Sequence, residues 1–505
     1  AKAAAPGAES DLEAAASPAA RAAGVEALME LQASEAAAAA TPEAESERPG
    51  DECIAPELRL QELQAHLALE AAEAARWPQL YPPPASEGPA PSPGLRFHAD
   101  FEGANLGRVR MEDAATVEVL LLGDTKRSWH CQWFFFDVEV PAAVELRFHI
   151  VSFRKRGSTF AQGQRVVARG PEETWRRAGV DYAYFPNRYA AARRRRCHFT
   201  LAFTMQLSAG RTRVAYFYPY LFGDLLRDLR RLRPAGDWLE VTDLGPTPGG
   251  RPLLMLQISD FDEEATARPC VVLSARVHPG EAPASFVLRG ALELLLADSD
   301  EARLLRSRFR FVVFPMLNPD GVALGHGRAD GSGRDLNRCW EQPPPGCEIV
   351  AVAAAMRRLC AAPGGVLAFL DFHAHSQLHG AFSLSNPGGE LLPNLLAEAG
   401  AKIFARSQCT FTSTRGKQGS ARSVVWQNFG VDHSHTIEAT YAAAPGGGKL
   451  VCPEDLACLG RDLVQGCAKL AKDAHESQPE SRPQPAPSRR LRARASKGPT
   501  FQLVL

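Results

Sequence analysis

The fold is decided by the stretch CVVLSARVHPGE at residues 270–281, in which an apolar run ends at a turn. The run is typical of a buried parallel strand, and the Pro-Gly pair after His278 ends it. Apolar residues then recur as far as Leu296 and predict a packed helix. His278 and Glu281 are therefore expected at the carboxyl end of a strand, where open α/β sheets place their ligand crevice. A histidine and a glutamate at this spacing can bind one zinc ion, although so short a motif also arises by chance.

Length and composition narrow the class of protein. At 505 residues, the chain is long enough for two folded units with tails. Its net charge of −1 gives no reason to expect binding to nucleic acid or to a membrane surface. It also lacks the run of about 18 apolar residues that a membrane span requires. The 11 cysteines form no C-x-x-C pair, which is typical of reduced thiols, so we expect a cytoplasmic protein.

Four segments of the chain differ in composition. Residues 1–94 are rich in Ala, Glu and Pro and are predicted to be a disordered leader and linker. Residues 95–222 contain short alternating β-rich runs, which predict an antiparallel β-sandwich. Residues 223–474 alternate strands and helices, so we predict an α/β sheet with helices on its faces. Residues 475–505 form a basic tail that we also predict to be disordered.

A third zinc ligand is expected at the end of another predicted strand. The α/β segment has predicted strands at 270–278, 309–317, 366–372 and 435–441. His373 follows the third of them and would complete a His/Glu/His set that leaves one position for water. His375 lies two residues further on and is assigned a supporting role.

Other polar residues near these strand ends have the chemistry of a hydrolytic site. Asn337 and Arg338 together offer an amide and a guanidinium fork, which suit a carboxylate. Arg328 can stabilise an oxyanion. Glu438 is a lone acid within an otherwise apolar strand, which is costly unless it is paired, close to a metal or catalytic.

The motifs resemble those of the carboxypeptidase A-type zinc peptidases. The matching segments are His278-x-x-Glu281, Asn318-Pro-Asp-Gly, Asn337-Arg338, Asp371-x-His373-x-His375-Ser376 and Thr436-x-Glu438-Ala. The preceding β-rich unit narrows the resemblance to the cytosolic carboxypeptidases, also called the ATP/GTP-binding-protein-like subgroup, through Phe101-Glu102-x-x-Asn105-Leu106, Gln132-Trp133-Phe134-Phe135-Phe136 and Tyr218-Pro219-Tyr220. The resemblance covers about residues 95–470.

This resemblance implies a fold and a role for each matching residue. The fold would be an α/β carboxypeptidase-like domain, a mixed sheet flanked by helices, preceded by the β-sandwich. The implied zinc ligands, one ion per chain, are His278, Glu281 and His373. Glu438 matches the general base, and Arg328 matches the arginine that stabilises the tetrahedral intermediate.

The resemblance also implies a substrate. Members of the subgroup remove C-terminal glutamates from tubulin and other acidic proteins, which places the expected protein in the cytoplasm and near microtubules or cilia. Asn337 and Arg338 match the clamp on the terminal carboxylate. Arg422 and Lys417 lie where the subgroup places its basic specificity residue, and Arg422 is the better match. Residues 377–384 depart from the subgroup, which carries basic residues there.

Two other functions stay open. A related zinc amidohydrolase acting on N-acyl amino acids would use a similar His/Glu/His set. A catalytically silent scaffold could bind microtubules through the tails, but every catalytic position is filled in this chain.

Overall fold

The computed structural model describes residues 94–125, 130–171, 173–190, 197–232, 236–412 and 418–476. The predicted leader up to residue 93, the predicted tail from residue 477 and Lys417 lie outside these ranges. The strands are β1 Arg96–His98, β2 Arg108–Met111, β3 Thr116–Leu120, β4 Phe135–Val140, β5 Val144–Phe153, β6 Val166–Arg169, β7 Arg176–Ala178, β8 Val180–Ala190, β9 Cys197–Leu207, β10 Gly210–Ala215, β11 Leu239–Pro246, β12 Pro252–Ile258, β13 Cys270–Ala275, β14 Arg310–Phe314, β15 Val366–His375, β16 Phe382–Ser385 and β17 His433–Thr440. The α-helices are α1 Phe222–Arg231, α2 Pro283–Leu295, α3 Asp300–Arg308, α4 Pro319–Ala323, α5 Glu348–Ala361, α6 Leu391–Glu398, α7 Ala421–Phe429 and α8 Pro453–Glu476. Within the described part of the chain, every helix is too short or too polar to span a bilayer.

The first ten strands form two five-stranded sheets that pack as a sandwich. One sheet has the order β1-β4-β10-β6-β7 and the other β2-β3-β5-β9-β8. Phe136 of β4 contacts Phe148 of β5 between the sheets, with ring centroids 6.3 Å apart. The pairs are antiparallel except for β3 and β5, which run parallel. This difference from the predicted antiparallel sandwich arises because the chain passes through β4, in the other sheet, before it returns as β5.

The last seven strands form one mixed sheet, as predicted, with the order β11-β12-β14-β13-β15-β17-β16. The four central strands, β14, β13, β15 and β17, are parallel, and antiparallel strands close both edges. Every residue of β13 and β14 is buried, which explains their continuous apolar sequences. The carboxyl ends of the central strands therefore meet at one edge of the sheet, where the polar residues gather.

Two glycines let helices α2 and α8 pack closely against each other. A Cβ atom added to Gly290 would lie 1.9 Å from the carbonyl oxygen of Ala457, and one added to Gly460 would lie 1.8 Å from that of Val287. Because no side chain fits in either gap, glycine is required at both positions. The contact fixes α2, and with it the turn that carries Glu281, against the body of the domain.

Candidate active site

Three side chains from neighbouring strand ends meet at one point. His278 follows β13, Glu281 lies in the turn before α2, and His373 lies in β15. The Nδ1 atoms of His278 and His373 each lie 2.9 Å from a different carboxylate oxygen of Glu281. The two Nδ1 atoms are 3.1 Å apart, and both histidines are buried. The structure thus brings together the three residues predicted to bind zinc.

A second carboxylate holds each imidazole from its far side. His278 Nε2 lies 3.1 Å from an oxygen of Asp335, and His373 Nε2 lies 2.8 Å from an oxygen of Asp371. A carboxylate acceptor favours the tautomer with its hydrogen on Nε2. The Nδ1 lone pairs are then left facing Glu281 and each other.

This donor set fits zinc. Two lone pairs and a carboxylate that face one another repel unless a cation lies between them. Zinc bonds of about 2.0 Å in a tetrahedral shell separate the ligand atoms by about 3.3 Å, close to the observed 2.9–3.1 Å. Although burial opposes it, the carboxylates of Asp371 and Glu281 raise the pKa of His373 well above its usual value. The surrounding negative charge therefore favours a positive ion at this point.

Arg276 shapes the turn between β13 and His278. Its φ of 59° lies in the left-handed region, which residues with a Cβ rarely adopt, so β13 ends earlier than the predicted boundary at residue 278. The buried guanidinium donates to the carbonyl of Tyr220 at 2.8 Å, to Ser285 Oγ at 3.0 Å and to the carbonyl of Pro279. Burial lowers the pKa of Arg276 to about 10. These bonds hold the strained turn that places His278.

Glu438 lies beside His373 across the sheet. Strands β15 and β17 pair in parallel with His373 directly opposite Glu438. Directly opposed residues of neighbouring strands direct their side chains to the same face. Glu438 is half-buried, whereas its neighbours Ile437 and Ala439 are buried in the core. The carboxylate is therefore on the face that holds the three predicted zinc ligands, as its predicted role of general base requires.

Arg328 forms an ion pair next to His278. Its Nε and Nη2 atoms lie 2.8 and 2.7 Å from one oxygen of Asp335, and the other oxygen of Asp335 contacts His278. Although burial opposes it, His278 and Arg328 lower the pKa of Asp335. Asp335 therefore stays charged and positions both a metal-binding imidazole and the predicted oxyanion-stabilising guanidinium.

A residue of the β-sandwich holds the loop that carries Arg328. Buried Asp124 accepts hydrogen bonds from the backbone amides of Gly327 and Arg328 at 2.7 Å each and of Ala329 at 2.6 Å. Three amide donors to one carboxylate make a strong anchor. Asp124 could not be predicted from the sequence, because it lies 204 residues from Arg328 and belongs to no recognisable motif.

The residues predicted to clamp the substrate carboxylate lie on a short 3-10 helix, Leu336–Arg338. Asn337 is buried, with its side-chain nitrogen 3.3 Å from His373 Nε2 and its oxygen accepting from the amide of Ala421 at 2.9 Å. Arg338 is exposed and donates to the carbonyl of Asn337 at 2.8 Å. Asn337 thus lies next to His373, a predicted zinc ligand, and Arg338 is exposed beside it.

The predicted specificity residue Arg422 is buried at the start of α7. Its Nη1 donates to the carbonyl of Ser385 at 2.8 Å, and no carboxylate among the described residues lies within ion-pair distance of it. Burial lowers the pKa of Arg422, and Glu438 opposes this effect. His375 contacts another part of the domain, where its Nε2 lies 2.9 Å from the carbonyl oxygen of Gly380.

Two family models match the chain. The cytosolic carboxypeptidase N-terminal domain matches residues 97–217, and zinc carboxypeptidase matches residues 225–382. The chain belongs to the cytosolic carboxypeptidases, within the zinc carboxypeptidase family. This membership confirms the resemblance predicted from the sequence motifs.

Curated relatives of this family are similar over most of the chain. Cytosolic carboxypeptidase 4 of Mus musculus is 32% identical over 397 residues, which are 69% of this chain and 35% of the relative. Cytosolic carboxypeptidase 1 of Gallus gallus is 29% identical over 433 residues, 75% of this chain and 35% of the relative. The chain therefore spans about a third of the length of these relatives.

Solved carboxypeptidases share the fold. The metallo-carboxypeptidase of Burkholderia cenocepacia aligns with a TM-score of 0.65 at 20% identity, covering 75% of this chain and 99% of its own. That of Pseudomonas aeruginosa aligns with a TM-score of 0.61 at 24% identity and the same coverage. The predicted carboxypeptidase-like fold is thus confirmed.

Proposed function

We propose that this chain is a zinc metallocarboxypeptidase that removes C-terminal glutamates from the acidic tails of tubulin and other glutamylated proteins in the cytoplasm, including near microtubules or cilia. The observation that carries the proposal is the meeting of His278, Glu281 and His373 next to Glu438 on one face of the sheet. Family membership supports the reaction type. The acidic substrate is supported by Arg422, a buried guanidinium with no carboxylate partner among the described residues.

In the proposed reaction, this chain's residues bind the peptide end and move protons. Zinc, when bound, supplies a Lewis acid and lowers the pKa of a water ligand. Glu438 accepts the proton of the attacking water and passes it to the leaving amine. Arg328 donates to the developing oxyanion. Asn337 and Arg338 hold the free carboxylate, which restricts cleavage to the last peptide bond.

Substitution of Glu438 tests the reaction. We expect Glu438→Gln to lower glutamate release by about 10²- to 10⁴-fold, because the amide cannot accept the proton of water. Zinc content, measured by atomic absorption, and the melting temperature should stay at wild-type values. Glu398→Gln, an exposed position in the same domain, is the control and should keep full activity. Mass spectrometry of tubulin tails before and after treatment measures the product, and undiminished release by Glu438→Gln would refute the assignment.

Substitution of Arg422 tests the substrate class. We expect Arg422→Gln to lower kcat/KM on peptides ending in glutamate by about 10- to 100-fold, since a charged hydrogen bond to the substrate is lost. Peptides ending in leucine should lose much less, and exposed Arg357→Gln should change neither value. An equal loss on both peptides would remove Arg422 from the specificity pocket.

The same assays separate the two alternatives. A zinc amidohydrolase would cleave an N-acyl amino acid and leave the peptides intact. If the chain is a silent scaffold, the Glu438→Gln variant should pellet with microtubules, and the wild type should release no glutamate.

A further inference from the structure

The β-sandwich forms one wall of the cleft beside the zinc ligands. The cleft has a cavity volume of about 100 Å³. Glu281 and Arg328 line it from the α/β domain, and Lys155 lines it from the β-sandwich. Arg422 does not line it, so this cleft is separate from the pocket proposed for the released residue.

Lys155 is held in position by contacts on both sides of the cleft. It follows β5 by two residues, and its carbonyl oxygen accepts a hydrogen bond from the Tyr184 hydroxyl at 2.6 Å. Its ammonium donates to Ser376 Oγ at 3.1 Å, and the amide of Gln132 donates to the same oxygen at 3.3 Å. Ser376 is buried and follows His373 by three residues. The ammonium is thus fixed close to the metal-binding residues.

Among the described residues, the Lys155 ammonium donates a hydrogen bond to a hydroxyl rather than to a carboxylate. No carboxylate among the described residues lies within ion-pair distance of the Lys155 ammonium. The residue itself is exposed at the edge of the cleft, so a ligand can reach it. An ammonium that is held in place by a hydroxyl and that a ligand can reach is suited to bind an anionic group.

The segment after Ser376 offers no alternative cation. Residues 377–384 contain neither lysine nor arginine. The β-sandwich lines the cleft with two basic side chains, of which Arg154 contacts His198, whereas Lys155 contacts Ser376 beside the predicted zinc ligands. Lys155 is therefore the better placed of the two to bind a charged group of the substrate.

We propose that Lys155, with the hydroxyl of Ser376, binds the side-chain carboxylate of the residue that precedes the released glutamate. The inference rests on the proposed function, because it assumes that the last residue extends towards Arg422 and that the preceding residue lies in the cleft. It predicts that the enzyme recognises two consecutive acidic residues of the substrate and that the β-sandwich contributes directly to substrate binding.

The test compares two peptides that differ only at the penultimate residue, one ending in Glu-Glu and the other in Ala-Glu. We expect the wild type to prefer Glu-Glu by about tenfold in kcat/KM, the size of one charge-assisted contact. Lys155→Met keeps the aliphatic stem and should bring this ratio close to one. Arg156→Met is the matched control, since Arg156 is the exposed neighbour and should keep the preference.

A charge reversal provides the second variant. Lys155→Glu should prefer a peptide ending in Lys-Glu over one ending in Glu-Glu, which a purely structural role would not produce. Zinc content and melting temperature identify any variant that has not folded. In that case Lys155→Gln, whose side chain can still donate to Ser376, is tested in place of the unfolded variant. A preference for Glu-Glu that survives the loss of the charge, or an equal loss on both peptides, overturns the proposal. If the wild type releases glutamate from neither peptide, the proposed function itself fails.

Discussion

Glu348 is a buried acid at the first position of α5, and no hydrogen-bond partner for either carboxylate oxygen lies among the described residues. Burial raises the pKa of Glu348 to about 8, compared with an ordinary value of 4.5. At a pH between these two pKa values, Glu348 is protonated in the folded protein and ionised in the unfolded chain. Its contribution therefore lowers the free energy of unfolding as pH rises from about 5 to 8.

We therefore expect Glu348→Gln to change the free energy of unfolding more favourably at pH 8 than at pH 5. The difference between its effects at the two pH values should be about 2–4 kcal/mol. The neutral amide avoids the cost of ionising in the core. Urea unfolding at the two pH values measures the difference. Glu341→Gln, at an exposed position seven residues earlier, should leave the pH dependence unchanged. Parallel pH curves for Glu348→Gln and wild type would count against this account.

Individual site residues could be predicted where they belong to a short sequence pattern. His278 and Glu281 follow one apolar strand, His373 lies near the end of another, and strand ends of a parallel sheet converge. Arg276 could not be predicted, because its left-handed backbone depends on bonds to Tyr220 and Ser285 that form only in the folded protein.

At the level of elements, apolar sequence predicted the central strands well and their ends less well. Strand β13 stops at Ala275 because Arg276 turns the chain, whereas β15 continues to His375 because β17 pairs with it along that length. The alternating pattern of the sandwich predicted strands but not their partners. The parallel pairing of β3 and β5 follows from the route of the chain through the other sheet, which periodicity does not encode.

The β-sandwich and the α/β domain join on two sides of the active site. Arg177 of β7 donates to the carbonyl oxygens of Tyr441 at 3.0 Å and Val451 at 2.8 Å. The Tyr441 hydroxyl in turn donates to the carbonyl of Gly280, next to Glu281, at 3.0 Å. The sequence predicted both units, but not that the first supports the site of the second, because these contacts join residues more than 150 positions apart.

Substitution of Asp124 tests whether the β-sandwich supports the active site, because Asp124 accepts three amide hydrogen bonds from the loop that carries Arg328. We expect Asp124→Ala to lower kcat for glutamate release by about tenfold or more, since Arg328 loses its fixed position. The free energy of unfolding should fall by about 2–4 kcal/mol, because buried amides lose their acceptor. Zinc content should stay at one ion per chain, since none of the three proposed ligands contacts Asp124.

The matched control is Asp113→Ala, which also removes an aspartate of the β-sandwich that accepts two backbone amides, from Ala115 and Thr116, each at 2.8 Å. Asp113 is exposed and accepts these bonds from amides of the β-sandwich itself, so its loss should leave glutamate release unchanged. Steady-state kinetics and urea unfolding of both variants give the comparison. If Asp124→Ala keeps the wild-type kcat while losing stability, the β-sandwich stabilises the α/β domain without positioning Arg328. If both variants lose kcat alike, the effect belongs to the sandwich as a whole and the role assigned to Asp124 is wrong.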